Sequence, residues 1–253
     1  MERYMELQGQ CAVVTGSAQG IGKAIAFELA VRGADLALCD LREDELRKTA
    51  GEIQAAGSVK VFIRRIDLAQ ENEIEGFVEE AEKSFGRIDI LVNNAGMHPL
   101  HRIQEISSSE WDLVLQVNLR AHFLFCRQVL PGMRRRKYGR IINIASEAGK
   151  NGGTVAAAHY AASKAGVLGF TRNLAQQTGG DGITVNAVCP GRIATAMASA
   201  AGEEENRKFI ENSILKRIGD PEDVAFAVAY LASPRAGFVT AESMMVNGGT
   251  LRD

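Results

Sequence analysis

Short apolar runs alternate with amphipathic helical stretches along the whole of this 253-residue chain, and this alternation constrains the fold more than any other feature. The runs are predominantly apolar throughout, which is typical of strands buried on both faces of a parallel sheet. Helices between successive strands must then cover both faces of the sheet. We therefore predict a doubly wound α/β fold, a single domain over residues 1–253, with seven parallel strands at 11–15, 36–39, 59–63, 88–92, 140–144, 182–188 and 243–246.

Composition excludes several classes of function. A formal net charge of −2 gives no electrostatic case for binding nucleic acid or an anionic membrane. The basic run at 134–137 is interpreted as a solvated helix end, where cations also favour the helix dipole. No apolar run approaches the ~18 residues of a membrane span, and the N-terminus lacks the apolar region of a signal peptide. We expect no nucleic-acid partner and no membrane attachment.

The four cysteines, Cys11, Cys39, Cys126 and Cys189, are far apart in the sequence, and three of them lie in apolar runs. This distribution favours free, buried thiols over a disulfide framework or a zinc site. Because free thiols suit a reducing compartment, we expect a cytoplasmic protein without a metal site.

A glycine-rich turn follows the first predicted strand and opens the first predicted helix. Its glycines, Gly16, Gly20 and Gly22, would let the backbone approach a pyrophosphate closely and pack the helix against the sheet. The helix N-terminus would attract the negative charge. This context, a strand before the turn and a helix after it, predicts a dinucleotide-binding site.

Asp40 ends the second predicted strand. A carboxylate at this position can accept hydrogen bonds from the hydroxyls of an adenosine ribose. It would repel the 2′-phosphate of NADP, and like-charge contacts cost several kcal/mol. Gln19 supplies no cation to offset this repulsion, although Arg42 could if it folded back. The sequence therefore favours NAD over NADP as cofactor.

Tyr160 and Lys164 lie four residues apart in an alanine-rich stretch that is predicted to be helical. Residues at this spacing share one face of a helix. A neighbouring ammonium favours the phenolate, so we expect the pKa of Tyr160 to lie below its ordinary value of about 10. Such a tyrosine could donate or accept a proton near neutral pH.

Together, the glycine turn, Asn93-Asn-Ala-Gly96, the Tyr160–Lys164 pair and Pro190-Gly191 resemble the short-chain dehydrogenase/reductase family, in particular its single-domain class of about 250 residues. The resemblance implies a Rossmann fold and a catalytic set of four residues. Tyr160 would be the general acid/base, and Lys164 would lower the pKa of Tyr160 and hold the nicotinamide ribose. Ser146 would bind the substrate oxygen, and Asn118 would hold a water molecule that relays the proton.

The resemblance also implies cofactor contacts in the loops that follow the strands, besides those of Tyr160 and Lys164. These contacts are assigned to Gly16, Ser17, Gln19, Gly20, Ile21, Gly22, Asp40, Leu41, Asp67, Leu68, Asn94, Ala95, Gly96, Pro190, Gly191, Ile193 and Thr195. A stretch of small and polar residues at about 194–215 would form a lid over the substrate. The family further implies a homotetramer or homodimer built through the helices of Trp111 and Tyr160.

From these features we expect an NAD(H)-dependent oxidoreductase that interconverts a small-molecule secondary alcohol and a ketone. One alternative is a 3-oxoacyl thioester reductase acting on a carrier protein or coenzyme A, with the basic run at 134–137 receiving an acidic carrier. Against it, carrier-protein reductases of this family mostly use NADPH, which Asp40 disfavours. Another alternative is a non-catalytic NAD-sensing regulator, which would be expected to have lost Tyr160 or Lys164.

Three histidines lie near the predicted site in sequence: His98, His101 and His159. His98 and His101 follow the Asn-Ala-Gly turn and could line a substrate pocket. His159 precedes Tyr160, so on a helix it should point away from the face of the tyrosine. We interpret all three as surface or packing residues, because histidine alone is weak evidence for a site.

Overall fold

A computed structural model describes residues 5–153, 156–199 and 202–251. Seven parallel strands form one sheet in the order β3-β2-β1-β4-β5-β6-β7, which confirms the predicted fold class. The strands are Cys11–Thr15 (β1), Asp35–Asp40 (β2), Val61–Arg65 (β3), Ile90–Asn93 (β4), Gly139–Ile144 (β5), Ile183–Pro190 (β6) and Ser243–Val246 (β7). Two predicted strands begin too early, at 59 and 88. Before β4, the Ile88 carbonyl accepts a hydrogen bond from Arg136, and the Asp89 carboxylate accepts one from the Cys11 amide.

Helices connect the strands and cover both faces of the sheet. They are Gly20–Val31 (α1), Glu43–Ala56 (α2), Glu71–Phe85 (α3), Ser108–Leu115 (α4), Ala121–Arg136 (α5), Ala148–Asn151 (α6), Ala158–Thr178 (α7), Ala196–Ser199 (α8), Glu203–Asn212 (α9) and Pro221–Ala232 (α10). Short 3₁₀ turns follow α7 and α10 at Gly179–Asp181 and Pro234–Ala236. None of the helices within the described ranges has the length and apolarity needed to cross a membrane.

Two apolar cores lie on opposite faces of the sheet, and neighbouring residues of one strand contribute to different cores. In β1, Val14 belongs to the core with α1, α2 and α10, whereas Val13 belongs to the core with α3, α5 and α7. Successive side chains of a strand point to opposite faces. Because both faces are covered, every position of β1 is buried, and this explains the continuous apolar runs in the sequence.

The sequence predicts one long helix through Trp111 to about Arg136, with N-cap residues at 107–110, but the structure interrupts this helix. A π-helical turn, Gln116–Arg120, separates α4 from α5. Such a wide turn changes the angular register of the residues that follow it, and π-turns occur frequently at functional sites. Asn118 lies within the turn and is completely buried.

The strand order places a crevice beside the first glycine turn. From β1 the chain adds β2 and β3 on one side, whereas β4 to β7 extend the sheet on the other side. The loops after β1 and β4 therefore leave the sheet in opposite directions. In open α/β sheets, ligands bind at the carboxyl ends of strands where this reversal occurs.

Candidate active site

The glycine turn after β1 contains close backbone approaches that side chains would block. Gly16 has a φ of +66°, and a Cβ there would lie 2.8 Å from Cα of Ala95. A Cβ on Gly22 would lie 2.0 Å from the carbonyl oxygen of Gly16. Gly20, at φ +54°, faces the Thr195 side chain, which a Cβ would approach to 3.3 Å. The turn therefore fits the dinucleotide-binding role that the sequence predicts, with backbone close to the N-terminus of α1.

Thr15, which stands directly before the glycine turn in the sequence motif but was given no role, joins the loops after β1 and β4. Its hydroxyl accepts the backbone N–H groups of Asn94 and Ala95, both at 3.0 Å. The Asn94 amide in turn donates to the carbonyl oxygens of Thr15 at 2.9 Å and Gly16 at 3.1 Å. The position of Thr15 directly before the glycine turn is the signal that could have identified it.

The other predicted residues of the first turn have different exposures. Ser17 is completely buried, and its hydroxyl donates to the Cys39 carbonyl at 3.3 Å. Gln19 is exposed directly before α1, and Ile21 is half-buried. Leu41 is 57% exposed beside the end of β2.

Asp40 lies at the carboxyl end of β2, beside the glycine turn. Its carboxylate accepts the backbone N–H of Ala18 at 3.0 Å and the backbone N–H of Arg42 at 3.0 Å. These bonds fix the orientation of the carboxylate at the end of the strand. Within the described ranges, the Arg42 guanidinium forms no ion pair with Asp40.

Asp67 and Leu68 follow β3, next to the end of β2. The backbone N–H of Ile66 donates to the Asp40 carbonyl at 3.0 Å, which brings this loop beside Asp40. The Asp67 carboxylate accepts the N–H of Ala69 at 2.9 Å. Both predicted residues are half-buried.

Tyr160, Lys164 and Ser146 come together at the carboxyl end of β5. A hydrogen bond joins the side chains of Ser146 and Tyr160. Lys164 lies one helical turn after Tyr160, with its Nζ 5.8 Å from the centroid of the tyrosine ring. That ammonium donates to the Ile144 carbonyl at 2.7 Å and is almost completely buried, and burial lowers the pKa of Lys164 to about 8.

The expected pKa of Tyr160 is wrong in direction. Burial raises the pKa of Tyr160 above its ordinary value of 10, and the hydrogen bond from Ser146 only partly offsets this effect. Burial disfavours the charged phenolate, and this effect prevails although the Lys164 ammonium lies 5.8 Å from the ring centroid. Tyr160 is therefore protonated at neutral pH, which suits a proton donor.

Asn118 connects the predicted catalytic residues to the loop after β4. Its Oδ1 accepts the Met97 N–H at 2.8 Å, and its Nδ2 donates to the Met97 carbonyl at 2.9 Å and to the Ser163 hydroxyl at 3.1 Å. A Cβ on Gly96 would lie 3.3 Å from Oδ1 of Asn118 and 3.5 Å from Nζ of Lys164. The glycine therefore lets the backbone pass close to both side chains.

The three histidines have different environments. His101 is exposed and lies 2.8 Å from the Glu110 carboxylate, and His159 is completely buried with Nε2 2.8 Å from the same carboxylate. These positions agree with the predicted surface and packing roles. His98 also has a packing role, but the residue on which it packs is the predicted proton donor, since its ring stacks on Tyr160 with centroids 3.9 Å apart and planes inclined by 26°. The position of His98 two residues after Gly96 is the sequence feature that could have indicated this contact.

Pro190 and Gly191 end β6 beside the chain segment predicted as a lid. The Gly191 N–H donates to the Val246 carbonyl at 3.0 Å, and Ile193 pairs with Gly219 in an isolated parallel bridge. The Arg192 guanidinium donates to the Ala198 carbonyl at 2.8 Å and also binds the Asn206 side chain. None of the side chains of α9 is buried.

The basic run at 134–137 lies away from these residues. It ends directly before β5, whereas Ser146 follows the carboxyl end of that strand. Asp181 pairs with Arg134 at 3.0 Å and with Lys137 at 2.9 Å. Asp181 thus offsets part of the positive charge of the run, which lies at the opposite end of β5 from Ser146.

This combination of fold and site belongs to one class of proteins. Residues 16–250 match a family model described as Enoyl-(Acyl carrier protein) reductase, a model of the short-chain dehydrogenase/reductase family. With this match and the curated relatives below, the chain belongs to the short-chain dehydrogenase/reductase family of oxidoreductases.

Several relatives cover nearly the whole chain. One is the (2S)-[(R)-hydroxy(phenyl)methyl]succinyl-CoA dehydrogenase subunit BbsD of Thauera aromatica, which is 39% identical over 97% of this chain and 98% of the relative. The 3-oxoacyl-(acyl-carrier-protein) reductase FabG of Vibrio cholerae is 38% identical with the same coverage of both chains. Nodulation protein G of Rhizobium is 40% identical over 96% of this chain and 98% of the relative.

Proposed function

We propose that this protein interconverts a 3-hydroxyacyl and a 3-oxoacyl thioester with NAD(H). The reaction is the interconversion of a secondary alcohol and a ketone that the sequence predicts. The hydrogen-bonded Ser146–Tyr160 pair, with Lys164 one helical turn away, carries the proposal for the reaction type. The thioester is supported by the relatives, since the names of two of them specify a 3-oxoacyl carrier protein and a coenzyme A thioester.

In the proposed mechanism, the hydroxyls of Ser146 and Tyr160 hold the substrate oxygen between them. During reduction, Tyr160 donates its proton to that oxygen as negative charge develops on it. During oxidation, Tyr160 accepts the proton from the alcohol. The buried ammonium of Lys164 stabilises the phenolate that remains after proton donation. When bound, the nicotinamide group supplies or accepts the hydride.

Because of the raised pKa of Tyr160, the rates of reduction and oxidation should depend on pH in opposite ways. Reduction requires the protonated phenol, which is the dominant form at neutral pH. Oxidation requires the phenolate, so its rate should increase as the pH rises toward the pKa of Tyr160. We expect the initial rate of 3-hydroxyacyl thioester oxidation to rise through the alkaline range, while the rate of 3-oxoacyl thioester reduction falls.

We propose NAD(H) as the cofactor because of the position of Asp40. The fixed carboxylate at the end of β2 can accept hydrogen bonds from ribose hydroxyls. It would repel a 2′-phosphate, and Arg42 does not neutralise it in the described structure. The remaining contacts are proposed to come from the predicted cofactor residues in the loops after β1, β3, β4 and β6.

We propose free coenzyme A thioesters as substrates in preference to those of a carrier protein. The basic run at 134–137 precedes β5, whose six residues span roughly 20 Å at 3.3 Å per residue. An acidic carrier bound there would therefore dock at the opposite end of β5 from Ser146. The two ion pairs with Asp181 further reduce the positive charge available to a carrier.

The segment at 194–215 is proposed to act as a lid over the substrate, within a single catalytic domain over residues 1–253. The helix α9 contributes no buried side chain, so it can move without opening the core. Arg192 links the end of β6 to this segment through Ala198 and Asn206. A single domain is supported by the two cores, which share one sheet. We also propose a cytoplasmic location, which the free and buried cysteines support.

A homodimer or homotetramer is proposed from the apolar side chains that α4, α5 and α10 expose. Leu113, Phe123, Phe226 and Tyr230 are 40% to 56% exposed. A groove of about 710 Å³ lies beside Phe123 and includes Phe170 of α7. Exposed apolar surfaces of this kind commonly mark protein interfaces. Light scattering should give the mass of two or four chains, and a monomeric mass would contradict this proposal.

The decisive experiment measures nicotinamide absorbance with 3-hydroxybutyryl-CoA and acetoacetyl-CoA, with simple secondary alcohols and ketones for comparison. Tyr160→Phe should reduce turnover by 10²-fold or more, which is the usual contribution of a general acid. Tyr138→Phe, which removes the same hydroxyl from a residue that precedes β5, should retain near-normal turnover. Normal turnover in Tyr160→Phe would refute the mechanism. Binding of NADH without turnover of any substrate would favour the NAD-sensing regulator.

A further inference from the structure

The loop after β4 contacts the candidate proton donor directly. The imidazole of His98 stacks on the phenol ring of Tyr160, with a centroid separation of 3.9 Å and an interplanar angle of 26°. This distance is shorter than the roughly 4.5–7 Å that is usual between the ring centroids of aromatic side chains. The stack therefore covers part of one face of the phenol ring.

Two sets of bonds hold His98 in this position, one on each side of it in the sequence. Before it, both backbone polar groups of Met97 bind the carboxamide of the buried Asn118, at 2.8 and 2.9 Å. After it, His101 lies 2.8 Å from Glu110, whose carboxylate is also 2.8 Å from Nε2 of His159. Because His159 precedes Tyr160 in α7, the loop is attached to the same helix turn that carries the phenol.

The stacked imidazole acts as a neutral ring. Burial lowers the pKa of His98, and with the smaller effects of the nearby His159 and Lys164 in the same direction the pKa is about 4. Its Nε2 is buried and has no hydrogen-bond partner within the described ranges. An unpaired buried nitrogen opposes folding, so polar bonding of this nitrogen does not explain the position of the ring. The contact with Tyr160 and the anchored backbone explain it.

We propose that His98 is a positioning residue for Tyr160, whose ring fixes the plane of the phenol and keeps water from the face that it covers. This proposal rests on the proposed role of Tyr160 in proton transfer. Titratable groups close to the stack include Lys164 and His159 on α7 and Glu110 on α4, which lies 2.8 Å from His159. His98 acts on the reaction only through the phenol and its surroundings.

Three variants distinguish the effect of the aromatic ring of His98 from the effect of its nitrogen atoms. His98→Phe keeps an aromatic ring and removes the unpaired nitrogen, so it should retain kcat and raise the Tm. His98→Ala and His98→Asn remove the ring and should lower kcat on the order of tenfold or more with little change in KM, since small misplacements of a reacting group reduce rates strongly. The assay is oxidation of 3-hydroxybutyryl-CoA with NAD⁺. If His98→Phe loses as much kcat as His98→Ala, the proposal is wrong.

The ionisation of Tyr160 provides a second test that needs no turnover. Because burial raises the pKa of Tyr160, admitting water in His98→Ala should shift its titration to lower pH. Ultraviolet absorbance of the phenolate is titrated for each variant with and without Tyr160→Phe, and the difference isolates this residue. His98→Phe should titrate like the parent protein. An unchanged titration in His98→Ala would overturn the proposal.

The outcomes also distinguish this inference from the proposed function. If Tyr160→Phe retains turnover, the proposed mechanism fails whatever the His98 variants do. If Tyr160→Phe is inactive but His98→Ala keeps its kcat and its titration, only the positioning role of His98 fails. If no thioester is turned over, the phenolate titration still decides whether His98 controls Tyr160.

Discussion

Replacing Asp40 by asparagine tests the proposed preference for NAD over NADP. The change removes one negative charge at the end of β2 while it keeps an oxygen that can accept a hydrogen bond. Two unit charges about 4 Å apart near a protein surface interact by ~4 kcal/mol. Asp40 is partly exposed, so screening reduces the repulsion of a 2′-phosphate, and we use about half of that value.

A difference of about 2 kcal/mol corresponds to a factor of roughly 30 in rate. We therefore expect the ratio of kcat/KM for NADPH to that for NADH to rise about 30-fold in Asp40→Asn. The asparagine can accept only one of the two backbone N–H groups that the carboxylate binds. The loss of the other bond, at a partly exposed site, should cost about 1 kcal/mol and lower the Tm by roughly 2–4 °C.

The assay measures kcat/KM for both cofactors with one thioester substrate, and thermal unfolding verifies that the variant is folded. Asp44→Asn is the matched control, because it removes the same charge from an exposed residue in the first turn of α2. It should leave the cofactor ratio unchanged. A folded Asp40→Asn protein with an unchanged ratio, or a parent protein that prefers NADPH, would refute the electrostatic reasoning.

Three further predictions concern stability and the glycine turn. Burial lowers the pKa of His122 from 6.5 to about 3. As the pH falls below 6.5, the unfolded chain therefore binds a proton at this residue that the folded chain does not bind. The free energy of unfolding should then decrease by ~1.4 kcal/mol per pH unit. His122→Gln should flatten this dependence in urea unfolding at pH 7 and at about pH 5. Thr171→Val should cost ~1–3 kcal/mol because it leaves the buried Asn143 amide, 2.9 Å from the threonine hydroxyl, without a partner, whereas Thr171→Ser should not. Gly22→Ala should abolish NADH binding, measured by fluorescence, because its Cβ would lie 2.0 Å from a carbonyl oxygen. The control Gly51→Ala, which has open space around it in α2, should stabilise the protein by up to ~1 kcal/mol.

Each of these predictions has an outcome that would contradict it. An equally steep loss of stability in acid for His122→Gln would assign the effect to other groups. Equal unfolding free energies for the valine and serine variants at Thr171 would mean that the Asn143 amide finds another partner. NADH binding by a folded Gly22→Ala protein would show that the turn can shift to accept a side chain.

The sequence predicted the fold because the fold depends on patterns of apolar and polar residues within short segments. Strands that are buried on both faces must be apolar throughout, and amphipathic helical stretches separate them in the sequence. The number of strands and the parallel type of the sheet followed from the order of these segments. The long helix before β5 was predicted correctly in extent but not in form. The π-turn at Asn118 is compatible with the same residue pattern as an ordinary helix, and the hydrogen bonds to Met97 and Ser163 that accompany it join distant segments.

The sequence by itself determined the pattern from which the candidate site is predicted: a glycine turn after a strand, an acid at the end of the next strand, and a tyrosine one helical turn from a lysine. These features depend on neighbours within a few residues, so their spacing can be read directly. Only the tertiary structure decided the electrostatics of Tyr160. Its pKa depends on burial and on the hydrogen bond with Ser146, and the ring of His98 contacts the phenol from a separate loop. The desolvation of Tyr160 results from contacts with segments that are far apart in the chain. For this reason the sequence could predict a proton-transfer role for Tyr160 but not the direction of its pKa shift.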